Sequence, residues 1–352
     1  MKKLFLLLAL STVLWQAPAH AQDKGKIGIS MPTVTLQRWV IDGLALGRSL
    51  GKLDYQPDLK FADNNPKEQI AQIDQMISDG VRVLIVAPVD GPALKDVLQK
   101  AADKKIKIIS YDRLIRDTPN IDGYATFDNY QVGVMQGEDI VNRLGLKDKP
   151  GPFSIELFAG SPDDNNAFFF YNGAMSVLKP YITSGSLMVE SGQTDMATIA
   201  TPQWNGATAR LRLDKLLAAF YKAKRLDAIL APNDGIALEL LASLKRLGYG
   251  SQGKDLPVVT GQDADLNSVR SIAKGEQAST IFKDTRVLAD VAVKMADALM
   301  QNKPIPINDT KTYNNGVKVV NSYLLKPVLV DKSNWSKILV DSGYYKDYVI
   351  SK

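Results

Sequence analysis

"DLKFADNNPKEQIAQIDQMISDGVRVLIVA", residues 58–87, contains the repeating unit of the chain. A short run fit for a strand (58–62) gives way to a polar turn. Then comes 66–80, where Ile70, Ile73, Met76 and Ile77 recur at helical spacing, and then 81–87, rich in β-branched residues. Strand, amphipathic helix and strand in so short a span make a parallel sheet covered by helices. The alternation continues in both directions. Further strands are expected at "KIGIS" (26–30), "IKIIS" (106–110), "FSIELF" (153–158), "SLMVE" (186–190), "DAILA" (227–231), "PVVT" (257–260) and "ASTIF" (278–282), with helices between them. These are too many strands for one ordinary sheet, so the expected fold class is α/β with two lobes.

The residues just past the strands matter most for function. After 26–30 comes "MPTVTLQRW", after 106–110 "YDR", and after 153–158 "AGSPDDNNAF". After 227–231 comes "PND", after 257–260 "GQDAD", and after 278–282 "KD". In open parallel sheets the carboxyl ends of the strands border the crevice where ligands sit, at the point where strand order reverses. Capping of the next helix would account for any one Asp, Asn or Ser there. It does not call for Arg38, Trp39, Arg113 or Lys283, so the set points to one polar cleft with aromatic walls.

"DDNNAFFFYNGAM", residues 163–175, then reads as a strand end, a loop and a helix from about Asn165 to Lys179. Ala167, Phe170, Tyr171, Ala174, Met175 and Leu178 form its core stripe. Asp164 and Asn166, with Phe168 beside them, are expected at the helix mouth, facing the crevice.

Composition narrows the chemistry. The single histidine is His20 and there is no cysteine. The chain opens with Lys2 and Lys3, an apolar run from Leu4 to Leu14, and Ala19-His20-Ala21, the pattern of a secretory signal cut after Ala21. A retained amino-terminal anchor is the weaker alternative, given the small residues before the cut. With 1–21 removed, no imidazole or thiol remains for Ser-His-Asp or Cys-His catalysis, zinc, haem or disulfides. The formal charge of +5 falls to +3 when Lys2 and Lys3 leave, because 1–21 hold no acid. No like-charge block or basic face stands out, so no nucleic-acid partner is expected.

Some motifs promise more than they hold. "GYGSQGKD", 248–255, matches G-x-G-x-x-G, yet a helical stretch precedes it and a strand comes after it, the reverse of a phosphate-cradling loop. It reads as a helix-terminating glycine loop. Asp163 with Asp164, or Asp263 with Asp265, could be the paired acids of a glycosidase, but such a pair needs a set separation and one raised pKa. Loop carboxylates also serve as caps or ligand acceptors. Asp90, in "APVDG", reads as a structural cap, and no calcium or other metal site is expected.

At "RW" (38–39), "YDRLI" (111–115), "FDNYQVG" (127–133), "GSPDDNNA" (160–167), "LKPYI" (178–182), "PND" (232–234), "GQDADL" (261–266), "FKDT" (282–285) and "SYLLKP" (322–327), the chain resembles the periplasmic sugar-binding proteins of ABC importers. The likeness runs from about Lys26 to the C-terminus and is nearest to xylose-binding and multiple-sugar-binding members. It implies two Rossmann-like lobes with parallel sheets, joined by three crossovers: 26–127 with 284–321, and 128–283 with 322–352. It implies ligand contacts at Arg38, Trp39, Asp112, Arg113, Asp164, Asn166, Trp204, Asn233, Asp263 and Lys283. The segment "GQTDMATIATPQW" (192–204) departs from both kinds of member, whereas Asn233 agrees with the xylose receptors. The resemblance further implies a periplasmic monomer with no cofactor and no catalytic residue. Its partners would be a monosaccharide, an ABC transporter permease and, as a further partner, a chemoreceptor or sensor kinase.

The residue types suit that ligand. Carboxylates and amides can serve vicinal hydroxyls, Arg113 can fork across two of them, and Trp39 and Trp204 can cover the apolar faces of an aldose. Two other readings share the fold: a carboxylate-dependent glycosidase or sugar-modifying enzyme, and a sugar-sensing repressor. The last would need an amino-terminal helix-turn-helix where this chain carries its signal-like segment.

Overall fold

The computed structural model describes residues 24–149, 151–251 and 253–350. The expected export signal, with His20, lies outside the described residues.

The first lobe begins with β1 (Lys26–Met31), α1 (Gln37–Gly51), β2 (Gln56–Phe61), α2 (Pro66–Ser78), β3 (Val83–Val86), α3 (Lys95–Asp103), β4 (Lys107–Tyr111) and β5 (Gly123–Phe127). The chain then forms the second lobe with α4 (Asn129–Leu144), β6 (Phe153–Leu157), α5 (Asn165–Thr183), β7 (Leu187–Met188), α6 (Met196–Ile199), α7 (Gly206–Phe220), β8 (Ala228–Leu230), α8 (Asp234–Arg246), β9 (Val258–Val259), α9 (Leu266–Lys274) and β10 (Ser279–Phe282). It returns through α10 (Thr285–Met300) and β11 (Ser322–Leu325), then ends with β12 (Val328–Asp331) and α11 (Asp347–Ile350).

In the unit at 58–87, Pro66 opens α2 and the Asn65 side chain accepts from the N–H groups of Lys67 and Glu68. Pro with an Asn cap satisfies donors that a helix start leaves free. Ile73, Met76 and Ile77 are buried, with Ile70 packed at their edge. All of β3 is buried, as a central parallel strand covered on both faces must be. Pro57 sits in β2, which is an edge strand and can spare a donor.

The first sheet has the order β2-β1-β3-β4-β5-β11, and every pairing is parallel. One face packs Ile27, Ile29 and Ile109 against Leu46 of α1 and Leu288, Ala292 and Met295 of α10. The other packs Leu84, Val86 and Ile108 against α2 and α3. The second lobe has the parallel order β7-β6-β8-β9, and β10 pairs antiparallel with β12 beside it. A parallel bridge between Gln262 and Ile281 joins β10 to the chain just past β9.

Each expected strand is present, with its ends within two residues of the expected ones, and β5, β11 and β12 are additions. β11 changes one boundary. It hydrogen-bonds to β5 in the first sheet, so the last crossing between lobes comes after Leu325 and not at 321. The loop after α8 is a glycine loop of the expected kind: Gly248, Gly250 and Gly253 have φ of +84°, +80° and +79°, and a strand comes next. α5 also runs past Lys179 and carries Pro180 within it.

Candidate functional site

The strand order of the first sheet reverses beside β1, between β2 and β3, and that of the second beside β6, between β7 and β8. The loops leaving these strands meet in one cavity with about 310 Å³ of empty space, part of it open to solvent. All ten residues expected at the site line it: Arg38 and Trp39 from the first turn of α1, Asp112 and Arg113 after β4, Asp164 and Asn166 at the start of α5, Trp204 before α7, Asn233 at the start of α8, Asp263 after β9 and Lys283 after β10. Leu36, Phe170 and Gln262 complete the wall.

Capping and lining coincide. Asp164 caps α5 by accepting the Asn166 N–H at 2.9 Å, and Asn233 caps α8 by accepting the Ile236 N–H at 3.0 Å. One oxygen serves the helix, and the rest of each side chain remains at the cavity. Asp90 is a cap, accepting the Ala93 N–H at 3.1 Å. Phe168 is a correction: it is 40% exposed and takes no part in the wall, whereas Phe170, expected in the core, is buried and lines the cavity. On the helix Phe168 faces away from Ala167 and Phe170, so being near the mouth did not bring it inside.

Charge in the cavity is balanced. Arg38 Nη2 lies 2.8 Å from Asp112 Oδ2 and 3.1 Å from Asp42 Oδ2, and Arg38 Nη1 lies 3.3 Å from Asp263 Oδ1. Lys283 Nζ lies 2.9 Å from the same Asp263 oxygen, and Arg113 Nε lies 2.9 Å from Asp164 Oδ2. The cations at the wall are Arg38, Arg113 and Lys283, and the carboxylates are Asp112, Asp164 and Asp263, so an uncharged ligand leaves neither sign unpaired. Burial opposes ionisation of Asp112, but Arg38, then Lys283 and Arg113, hold its carboxyl below the ordinary range. Burial lifts Asp164 above that range against the pull of Arg113. Asp42, wholly buried behind Arg38, is pushed up to about 6, mainly by burial. The spacing of Arg38 and Asp42, four apart on α1, was the sequence signal for that pair.

The aromatic walls are fixed as firmly. The Trp39 ring lies 4.5 Å from the Arg38 guanidinium carbon and 5.2 Å from that of Arg113. Trp204 Nε1 donates to Asp164 Oδ2 at 3.2 Å, and its ring meets Phe170 edge-on at 6.2 Å. Asp112, Trp204 and Asp263 have φ of +57°, +55° and +97°, backbone that side-chain-bearing residues seldom adopt and that concentrates at functional sites. At Asp112 the carbonyl accepts from Tyr124 Oη at 2.6 Å, Thr126 Oγ1 at 2.8 Å and Asn166 Nδ2 at 2.8 Å, which holds the turn in place.

Gln262 gave no signal of its own in the sequence, although it stands inside "GQDAD". Its Nε2 donates to the Pro232 carbonyl at 3.0 Å, while its Oε1 is buried without a partner in the cavity wall, placed to accept a hydroxyl. Among the described residues no cluster of Asp, Glu, His or Cys is arranged to hold a metal ion.

The periplasmic binding protein domain family matches residues 27–304. The chain is 56% identical to the multiple sugar-binding periplasmic receptor ChvE of Rhizobium radiobacter, over 96% of each chain. It is 35% identical to the D-xylose-binding periplasmic protein of Escherichia coli, over 98% of each. Among solved structures, an ABC transporter solute-binding protein from Clostridium phytofermentans with bound β-D-glucose is 44% identical. It superposes with a TM-score of 0.89 over 92% of this chain and 99% of that one.

Proposed function

Because the chain belongs to the periplasmic binding protein family, we propose that its interlobe cavity binds a monosaccharide, an aldose such as xylose, glucose, galactose or arabinose, for import. The protein is a solute-binding receptor and not an enzyme. The observation that carries the choice of ligand is the cavity itself, lined by two indoles and holding equal numbers of cations and carboxylates. An uncharged ring with hydroxyls on its rim and C–H bonds on its faces matches each of those properties. Hydrogen bonds to charged groups contribute about 1.5–3 kcal/mol each, and a few of them, less the cost of immobilising the sugar, reach the roughly 8 kcal/mol of a micromolar complex.

The contacts come from both lobes, so the sugar favours the closed arrangement by differential affinity. Arg38 with Asp263, Arg113 with Asp164, and Asn166 Nδ2 with the Asp112 carbonyl already cross the gap. Hinge closure of this kind characterises periplasmic binding proteins. The proposal includes delivery by the closed, monomeric protein to an ABC transporter permease, a chemoreceptor or sensor kinase as a second partner, and export by a signal cut after Ala21.

A thermal-shift panel of aldoses with the exported protein tests the reading. A ligand that binds only the folded state raises the melting temperature by mass action. Pentoses and hexoses that fit should do so at micromolar to millimolar concentration, while sugar acids and phosphates should not. A panel without a shift for any neutral aldose would overturn the assignment.

A further inference from the structure

The C-terminal segment lies outside the cavity wall, yet it grips the neighbours of two cavity residues. Tyr345 Oη donates to the carbonyl of Ala264, next to Asp263, at 3.0 Å. Tyr344 packs edge-on against Phe282, next to Lys283, with ring centroids 4.7 Å apart, and the two tyrosines meet edge-on at 4.9 Å. Arg286 at the start of α10 stacks on Tyr344 at 5.0 Å and donates to the Ser342 carbonyl at 3.2 Å. Farther along, Arg270 Nε donates to the Val349 carbonyl at 3.0 Å. Ala264, Phe282, Leu339, Tyr344 and Tyr345 belong to one apolar cluster.

The grip falls on a turn whose backbone is strained. Asp263 and Ala264 are consecutive left-handed residues, with φ of +97° and +52°. Such a turn persists when its surroundings over-determine it. The Asp263 N–H donates to the Ile281 carbonyl at 2.9 Å, the Ala264 N–H to Thr280 Oγ1 at 3.1 Å, and the Asp265 N–H to Asp234 Oδ2 at 2.8 Å. These bonds fasten the N–H side of the turn to the body of the lobe. On the carbonyl side, the bond at Ala264 comes from Tyr345.

We infer that Tyr345, braced by Tyr344, is a positioning residue for sugar recognition: it holds the 263–264 turn so that the Asp263 carboxylate meets Lys283 and Arg38 at the cavity. This rests on the proposal that the cavity binds a sugar. Tyr345 does not itself line the cavity and acts through Asp263.

Tyr345→Phe removes one oxygen and keeps the apolar packing. Losing one such hydrogen bond should weaken the sugar that shifts wild type most by about twofold to tenfold in calorimetric titration, with the sugar-free far-ultraviolet spectrum unchanged. The discriminating readout is a double-mutant cycle with Asp263→Asn. If Tyr345 acts through the carboxylate, its loss should cost much less in the Asp263→Asn background than in wild type. A cost equal in both backgrounds would make Tyr345 a general support of the lobe and overturn the inference, as would wild-type affinity in Tyr345→Phe. If wild type binds no aldose, it is the sugar reading that fails, since the cycle then has no starting point.

Discussion

Arg38 Nη1 of the first lobe stands 3.3 Å from Asp263 Oδ1 of the second, and Lys283 Nζ approaches the same oxygen at 2.9 Å. One carboxylate therefore ties the lobes together and neutralises a buried ammonium. Arg113 and Asp164, 2.9 Å apart, make a second ion pair between the lobes at the cavity.

Removing either tie should weaken sugar binding severely. Asp263→Ala leaves Lys283 buried without its carboxylate, and Arg113→Ala leaves Asp164 held only by neutral donors. Truncating one partner of a buried ion pair leaves the other charge uncompensated and costs about 3–5 kcal/mol. We expect each variant to lose roughly a hundredfold or more in aldose affinity by calorimetric titration. Both should keep a folded far-ultraviolet spectrum, because none of the apolar clusters behind the sheets is touched. Wild-type affinity in either variant would remove that residue from the site.

Asp42 should leave a signature in the pH dependence of stability. Its carboxyl has a pKa of about 6 in the folded chain against 3.8 as a free side chain, raised first by burial. The folded state then binds the proton more tightly than the unfolded state. The stabilising contribution is complete below pH 3.8 and is lost as pH rises through 6. A shift of this size corresponds to about 3 kcal/mol. In urea melts of sugar-free protein, Asp42→Asn should gain on wild type by up to about 3 kcal/mol between pH 4 and pH 7. A difference between the two proteins that stays constant with pH would contradict this assignment.

Much of the fold and the cavity was legible because two regular signals agreed: strand-helix alternation, and polar groups gathered just past the strands. What escaped had irregular causes. β5 and β11 pair only with each other and β4, at the far side of the first sheet. Their runs, "GYATF" and "SYLL", are short and mixed, and it is the pairing that makes them strands. The crossing after Leu325 depends on that pairing and could not be placed without it. Phe170 packs under Trp204 while belonging to a helix core stripe, so periodicity alone assigned it to packing. The left-handed backbone at Asp112, Trp204 and Asp263 has no sequence signal, since it is imposed by bonds from distant residues such as Thr126.

Gly160 offers a test of Trp204, the proposed contact from the segment 192–204. A Cβ built on Gly160 would lie 2.1 Å from Trp204 Cη2, 2.4 Å from Cζ2 and 2.6 Å from Cζ3, too close for any carbon pair. Gly160→Ala must displace the indole, and with it the bond from Nε1 to Asp164. Overpacking of this kind costs about 1–3 kcal/mol of stability. We expect a lower sugar-free melting temperature and a loss of about tenfold or more in aldose affinity, measured by calorimetric titration. Gly47→Ala is the matched control. Its new methyl would meet only Pro57, at 4.0 Å, within α1, where alanine is the better helix former. That variant should bind as wild type does and melt no lower. Should Gly160→Ala bind as well as Gly47→Ala, the indole of Trp204 is not a wall of the sugar site, and the recognition would have to rest on Trp39 and the charged pairs alone.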